Sequence, residues 1–391
     1  MTARGVAILG STGSIGRTTL EVMAAFPDRF RAVALTANRR SELLLEQVAA
    51  HGPELAVLVD DDSDVASPPG TRLATGWDGV LEAAAHPDAE IVVNALVGAA
   101  GLEPSLVALA AGKRLALANK ESLVVGGLLV MRAAAEHGGT LLPIDSEHSA
   151  ILQCLQGADA RAELRRIVLT ASGGPFRGRT RGELVQVTPS EALRHPTWEM
   201  GAKITVDSAT LVNKALEVVE AHHLFGLPYD RIDVVVHPQS IVHSLVEFRD
   251  GSVLAQLGHP TMAVPILYAL SHPDRLPYEP PRLDLAQVGS LTFEPVPDER
   301  FPAFEAGRRA GRLGGTAPAA FNAANEEAVA AFLDGRLPFV GIAEVIERVL
   351  ASHDPEDVTG LEVVRRADQR AREAARSVVR GLTAETTGRS G

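Results

Sequence analysis

The chain has 391 residues, is 46% hydrophobic and carries a formal net charge of −12. That length exceeds the roughly 250–300 residues at which a single core stops growing, so two or three domains are expected. The acidic balance argues against a nucleic-acid-binding surface, and the single cysteine, Cys154, excludes internal disulfides and cysteine zinc clusters.

No window approaches the roughly 20 uninterrupted apolar residues of a membrane span, and the N-terminus lacks a signal-peptide pattern, so a cytoplasmic protein is expected. Gly5–Leu9 reads as a buried strand that runs through glycines 10, 13 and 16 into a helix ended by Pro27. Further strands are expected at 31–36, 56–59, 91–94 and 114–118, alternating with alanine-rich helical stretches. That alternation predicts a Rossmann-like, doubly wound parallel sheet over residues 1–145.

A different texture follows. A strand at 167–170, an irregular stretch at 173–203, a helix near 208–222 and strands at 233–237, 241–248 and 253–257 predict a central α+β domain with an open, largely antiparallel sheet, 146–271. Asp250-Gly251 suits the turn of a hairpin. The proline-rich 272–302 reads as a linker, and 303–391 as a helical bundle to about residue 382 with a tail from Thr383. The chain is therefore expected to be multidomain, α/β and α+β.

The first glycine-rich turn lets the backbone approach a pyrophosphate, whose charge the following helix N-terminus favours. An NAD site usually places a carboxylate about 20 residues further on. Here Asn38-Arg39-Arg40 stands instead, which suits a 2′-phosphate and hence NADP(H), unless the arginines are merely solvated. Only four of the 37 basic residues are lysines, Lys113, Lys120, Lys203 and Lys214. An ammonium can shift its pKa as a guanidinium cannot, so these four invite scrutiny.

Asp145-Ser146-Glu147 follows the apolar run Leu141–Ile144. In an extended backbone residues i and i+2 point the same way, so the two carboxylates repel unless a divalent cation lies between them. A solvated turn is the competing reading. Asp207–Glu217 reads as a helix capped by Asp207 or Ser208, with Asn213 and Glu217 on one face and Lys214 beside them. Hydroxyl, amide, ammonium and helix N-terminus together suit a phosphate, while Glu217 can reach a cation; an ordinary solvated helix face remains open. Ser172-Gly173-Gly174 leaves a strand through a turn able to take another part of an anion. His195–Gly201, with Trp198, reads as a lid or as a loop packed on its own domain. His243 alternates with Ile241 and Leu245 and suits a core face, and Cys154 is expected to be buried and inert.

In their order, Gly10–Gly16, Ala118–Ser122, Ile144–His148, Ser172–Pro175, His195–Trp198 and Asp207–Glu217 resemble the 1-deoxy-D-xylulose 5-phosphate reductoisomerase family over nearly the full chain. The resemblance implies NADPH, Mg²⁺ or Mn²⁺, a sugar phosphate substrate, and a homodimer. It also implies rearrangement of the skeleton by retro-aldol cleavage and re-addition, then hydride reduction to 2-C-methyl-D-erythritol 4-phosphate. Carried over by position, Asp145, Glu147 and Glu217 are implied metal ligands and, with Lys120, the catalytic set. Lys120, Ser146, Glu147, Ser172, His195, Trp198, Ser208, Asn213, Lys214, Glu217 and His243 are implied to meet the substrate. Thr12, Gly13, Ser14, Ile15, Asn38, Arg39, Arg40, Asn119, Glu121 and Gly201 are implied to meet NADPH. Two departures stand out: Ala215 where the family usually has glycine, and Asn38-Arg39-Arg40 in place of a usual Gly-Lys-Asn. A semialdehyde-type dehydrogenase and a non-catalytic NADPH-binding regulator are the alternative readings.

Overall fold

Short runs of small and branched apolar residues, too short for helices and bounded by turns, produce two separate sheets. The computed structural model describes residues 3–60, 67–157, 160–198, 200–296 and 300–388. The chain divides into two units: Met1–Ser122 with Leu129–Ser149 and Thr261–Pro281, and Leu123–Leu128 with Ala150–Pro260 and Arg282–Gly391.

The first unit is built on seven strands: β1 (Arg4–Leu9), β2 (Phe30–Ala37), β3 (Leu55–Leu58), β4 (Arg72–Thr75), β5 (Ile91–Asn94), β6 (Arg114–Leu117) and β7 (Thr140–Pro143). All pair in parallel in the order β4-β3-β2-β1-β5-β6-β7. Val6–Leu9 of β1 are fully buried, as a parallel strand covered on both faces requires. The order reverses beside β1, so the glycine-rich turn after it sits at the switch point where such sheets bind ligands. β4 was not anticipated, because Arg72–Thr75 is a partly exposed edge strand without an apolar run. Residues 263–271, expected at the end of the central domain, form a helix (Ala263–Ser271) of this first unit that is buried along nearly its whole length.

The second unit carries β8 (Leu164–Ala171), β9 (Ile232–Val236), β10 (Val242–Phe248), β11 (Val253–Leu257) and β12 (Glu294–Pro295), in the order β11-β10-β8-β9-β12. Only β8 and β9 pair in parallel. β12 falls within the expected linker. The stretch 173–203 is not wholly irregular: Thr180 and Thr188 cap short helices at Arg181–Leu184 and Pro189–Ala192, each through a capping box.

The single helix expected near 208–222 is two, Ala202–Ala209 and Val212–Phe225. Thr210 ends the first by turning its hydroxyl onto the carbonyls of Val206 (3.1 Å) and Asp207 (3.2 Å), and Leu211 reverses the chain at φ 58°. Asp207 and Ser208 therefore close one helix rather than cap the next. The helices Pro302–Leu313, Ala317–Leu333, Gly341–Ser352 and Leu361–Gly388, expected as a bundle of their own, share the unit of the five-stranded sheet. The last runs beyond the expected end at 382, and 389–391 lie outside the described residues. No described helix is long and apolar enough to cross a membrane.

Candidate active site

In the first unit the turn after β1 depends on two glycines. Gly10 has φ 85° and donates its N–H to Thr36 Oγ1 (2.9 Å), and a Cβ on Gly16 would lie 2.4 Å from the Gly10 carbonyl oxygen. Gly13 precedes the helix Ser14–Ala24 without a side-chain cap, so no side chain consumes the first helical N–H groups. Thr12 is buried, Gly13 and Ile15 are half-buried and Ser14 is exposed. Gln47, which the sequence pattern did not single out, braces the turn: it accepts from Ser11 Oγ (2.7 Å) and donates to the Ser11 carbonyl (2.9 Å). Asn38, Arg39 and Arg40 are exposed after β2, with Arg40 donating to the Thr12 carbonyl (3.0 Å) and Arg39 paired to Asp60 (2.8 Å).

After β6, Asn119 is spent on the backbone. Its Oδ1 accepts from Ser122 N–H (3.0 Å), while its Nδ2 donates to the carbonyls of Leu96 and Gly98 (both 2.9 Å) and to Glu121 (3.1 Å). Its amide thus shapes the helix start. Lys120, beginning that helix, is buried and donates to Asp145 Oδ2 at 2.8 Å.

Asp145 follows β7, and the helix Ser146–Cys154 begins at once, so Glu147 is helical and the extended i, i+2 geometry expected from sequence does not occur. The pair converges by another route. Asp145 Oδ1 accepts the Glu147 N–H (3.2 Å) and lies 3.4 Å from His148 Nδ1, and carboxylate oxygens of Asp145 and Glu147 fall within 4.8 Å of one another. Ser146 donates its hydroxyl to the Glu147 carboxylate. Two carboxylates so close, all oxygen donors, fit a hard divalent cation. Cys154 is half-buried, not buried as expected.

In the second unit Gly173 (φ 83°) and Gly174 (φ 65°) fold the turn after β8 against the end of helix Ala202–Ala209, where a Cβ on Gly174 would meet the Ser208 carbonyl at 2.7 Å. Ser172 Oγ lies 3.0 Å from His195 Nε2 and accepts the Gly174 N–H (3.2 Å). His195 Nδ1 accepts the backbone N–H groups of Thr197 (3.1 Å) and Trp198 (2.9 Å), which puts the ring proton on Nε2 and aims it at Ser172. Burial lowers the His195 pKa, so the ring stays neutral at physiological pH. The serine proton is left to donate to a ligand. Trp198 is half-buried, Gly201 is exposed at the cap of helix Ala202–Ala209, and Glu199 lies outside the described residues.

On helix Val212–Phe225, Glu217 is buried and receives Asn213 Nδ2 (2.5 Å) and the Lys214 ammonium. Ser208 and Asn213 remain half-exposed. His243 is buried on β10, near Gly258.

Models of the family match 6–127 (1-deoxy-D-xylulose 5-phosphate reductoisomerase), 141–225 (its C-terminal domain) and 257–374 (DXP reductoisomerase C-terminal domain). The 1-deoxy-D-xylulose 5-phosphate reductoisomerase of Geobacillus kaustophilus is 52% identical over 379 residues, covering 96% of this chain and 99% of its own. This chain belongs to the 1-deoxy-D-xylulose 5-phosphate reductoisomerase family. The Symbiobacterium thermophilum relative is likewise 52% identical, over 95% of this chain and 98% of its own. The Zymomonas mobilis reductoisomerase solved with NADPH matches with TM-score 0.89 at 42% identity, covering 97% of this chain and 99% of its own. A DOX-P reductoisomerase solved with NADPH, fosmidomycin and magnesium matches with TM-score 0.91 at 41% identity, with the same coverage.

One departure from the reductoisomerase pattern has a steric account. Ala215 is fully buried, and its methyl faces Gly307, where an added Cβ would lie 2.6 Å away. The extra methyl fits because position 307 carries none.

Proposed function

We propose that this chain converts 1-deoxy-D-xylulose 5-phosphate to 2-C-methyl-D-erythritol 4-phosphate, rearranging the carbon skeleton and then reducing it. Family membership over nearly the whole chain is the observation that carries this reading, and the buried Lys120–Asp145 pair is consistent with it. Asp145, Glu147 and Glu217 would hold the cation, and Thr12–Ile15, Asn38–Arg40, Asn119, Glu121 and Gly201 would meet NADPH. When bound, the cation polarises the ketone and its neighbouring hydroxyl, and NADPH supplies the hydride.

The protein's own groups do the rest. Ser172, oriented by neutral His195 and the Gly174 N–H, donates to the phosphate together with Ser208, Asn213 and Lys214. Anchoring the phosphate away from the reacting carbons supplies binding energy for ordering the segment around Trp198, which excludes water. Lys120 is held by Asp145 where it can move a proton to or from the substrate oxygen. Ser146 and Glu147 orient the substrate hydroxyls, and His243 lines the pocket.

The protein acts in the cytoplasm as a homodimer. The dimer is supported by β11, which stands at the sheet edge beside β10 among the described residues and whose Val253 and Leu254 are 53% and 50% exposed. The deciding assay is NADPH oxidation with the pentulose phosphate, with and without Mg²⁺ or Mn²⁺. Oxidation that requires both substrate and metal is expected; cofactor binding without turnover would identify a regulator instead.

A further inference from the structure

Helix Ala317–Leu333 is lined with buried alanine, valine and phenylalanine, yet it carries Asn322 and Asn325 with neither exposed at all. Asn325 donates Nδ2 to Asp207 Oδ1 at 2.8 Å, 118 residues away in sequence, while its own Oδ1 has no hydrogen-bond partner among the described residues. A buried amide with half its capacity unmet is a poor choice for helix stability, and an apolar side chain would serve the bundle better. What the position retains is an N–H donor aimed at Asp207.

Asp207 is itself costly where it stands. It is 1% exposed and lies in the last turn of helix Ala202–Ala209, where the helix dipole disfavours an anion. Lys203, one turn earlier, pairs with its Oδ2 at 2.8 Å, and Asn325 holds the other oxygen. The Asp207 carbonyl also receives the Thr210 hydroxyl that ends the helix. Ser208 is the next residue, the Gly174 turn abuts its carbonyl, and Leu211 then reverses the chain into the helix bearing Asn213 and Lys214.

From this geometry we infer that Asn325 is a positioning residue for the phosphate-binding groups. By fixing Asp207 it sets where Ser208 stands and how the chain enters the Asn213–Lys214 turn. The inference rests on the reading of Ser208, Asn213 and Lys214 as phosphate ligands given under the proposed function.

The test compares Asn325→Ala, Asn325→Asp and the exchanged pair Asp207→Asn with Asn325→Asp. The exchanged pair keeps one carboxylate and the hydrogen bond. KM for the pentulose phosphate and for NADPH is measured for each, with calorimetric titration of inorganic phosphate and a thermal midpoint as folding control. Asn325→Ala is expected to raise KM for the sugar phosphate and weaken phosphate binding about tenfold, with kcat and the NADPH KM within about twofold. Asn325→Asp, which sets two carboxylates together, is expected to be worse, and the exchanged pair, which removes that repulsion but leaves Lys203 facing an amide, to recover part of the loss. Should Asn325→Ala fail to fold, the contrast between Asn325→Asp and the exchanged pair carries the comparison. An unchanged sugar-phosphate KM, or equal losses for phosphate and NADPH, overturns the positioning role alone. A wild-type protein that neither turns over the sugar phosphate nor binds inorganic phosphate overturns the activity as well.

Discussion

Lys120 gives its ammonium to Asp145 at 2.8 Å, with side-chain exposures of 7% and 11%. A pair this sheltered is screened little by salt, and removing one partner strands the other charge. Lys120→Met keeps the length and removes the proton. We expect kcat to fall by about 10²-fold or more, with the NADPH dissociation constant within about threefold. Because Asp145 loses its ammonium partner, urea unfolding should also show a loss of about 3 kcal/mol. A variant with near-normal kcat would remove Lys120 from the chemistry.

Glu217 is 1% exposed and takes hydrogen-bond donors from Asn213 and Lys214 on its own helix. Glu217→Gln preserves shape but removes the charge that a cation needs. Turnover should disappear while NADPH affinity stays close to that of the parent, and the Mg²⁺ requirement should shift to higher concentration wherever residual rate is measurable. Near-normal turnover would sink the metal assignment.

Arg39 is 79% exposed and, among the described residues, its side chain pairs with Asp60, whereas Arg40 braces the Thr12 carbonyl. Arg39 is therefore the freer of the two to meet a 2′-phosphate, and its loss should leave the turn intact. Arg39→Ala is expected to raise KM for NADPH about tenfold and leave KM for NADH nearly unchanged, narrowing the preference between them. Parallel kinetics with the two cofactors checks this; an equal rise for both would point to a damaged turn.

The parts of this fold legible in sequence are those fixed by local pattern. β1, β2, β3, β5 and β6 announce themselves as apolar runs between turn residues, and the glycine spacing at 10, 13 and 16 marks the first switch point. Features made by distant partners were not legible. Gln47 reaches Ser11 across 36 residues and Asn325 reaches Asp207 across 118, and a lone amide in a helical pattern carries no trace of its target. The break at Leu211 was hidden because a leucine, not a glycine, takes the left-handed conformation. The spacing of Asp145 and Glu147 suggests a pair aligned along a strand, whereas the two approach through a helix start.

His223 offers a test of stability rather than of chemistry. Its ring lies against Gly127, where an added Cβ would come within 2.2 Å, and its neighbour His222 stacks on Tyr229 at 4.4 Å between ring centroids. Burial, helped by the charge of His222, lowers its pKa from 6.5 to about 4. Above pH 6.5 the ring is neutral in both folded and unfolded chains and contributes no pH dependence. As pH falls below that value the unfolded chain takes up a proton that the folded one refuses, so stability drops until about pH 4 and then levels on this account. The loss is up to about 3 kcal/mol. Urea midpoints at pH 7 and pH 4.5 should therefore separate less in His223→Gln than in the parent. The same crowding predicts that Gly127→Ala lowers stability by about 2 kcal/mol, since the helix backbone and a half-buried ring must part to admit one methyl. Equal acid sensitivity in the parent and His223→Gln would show that other groups govern the acid limb.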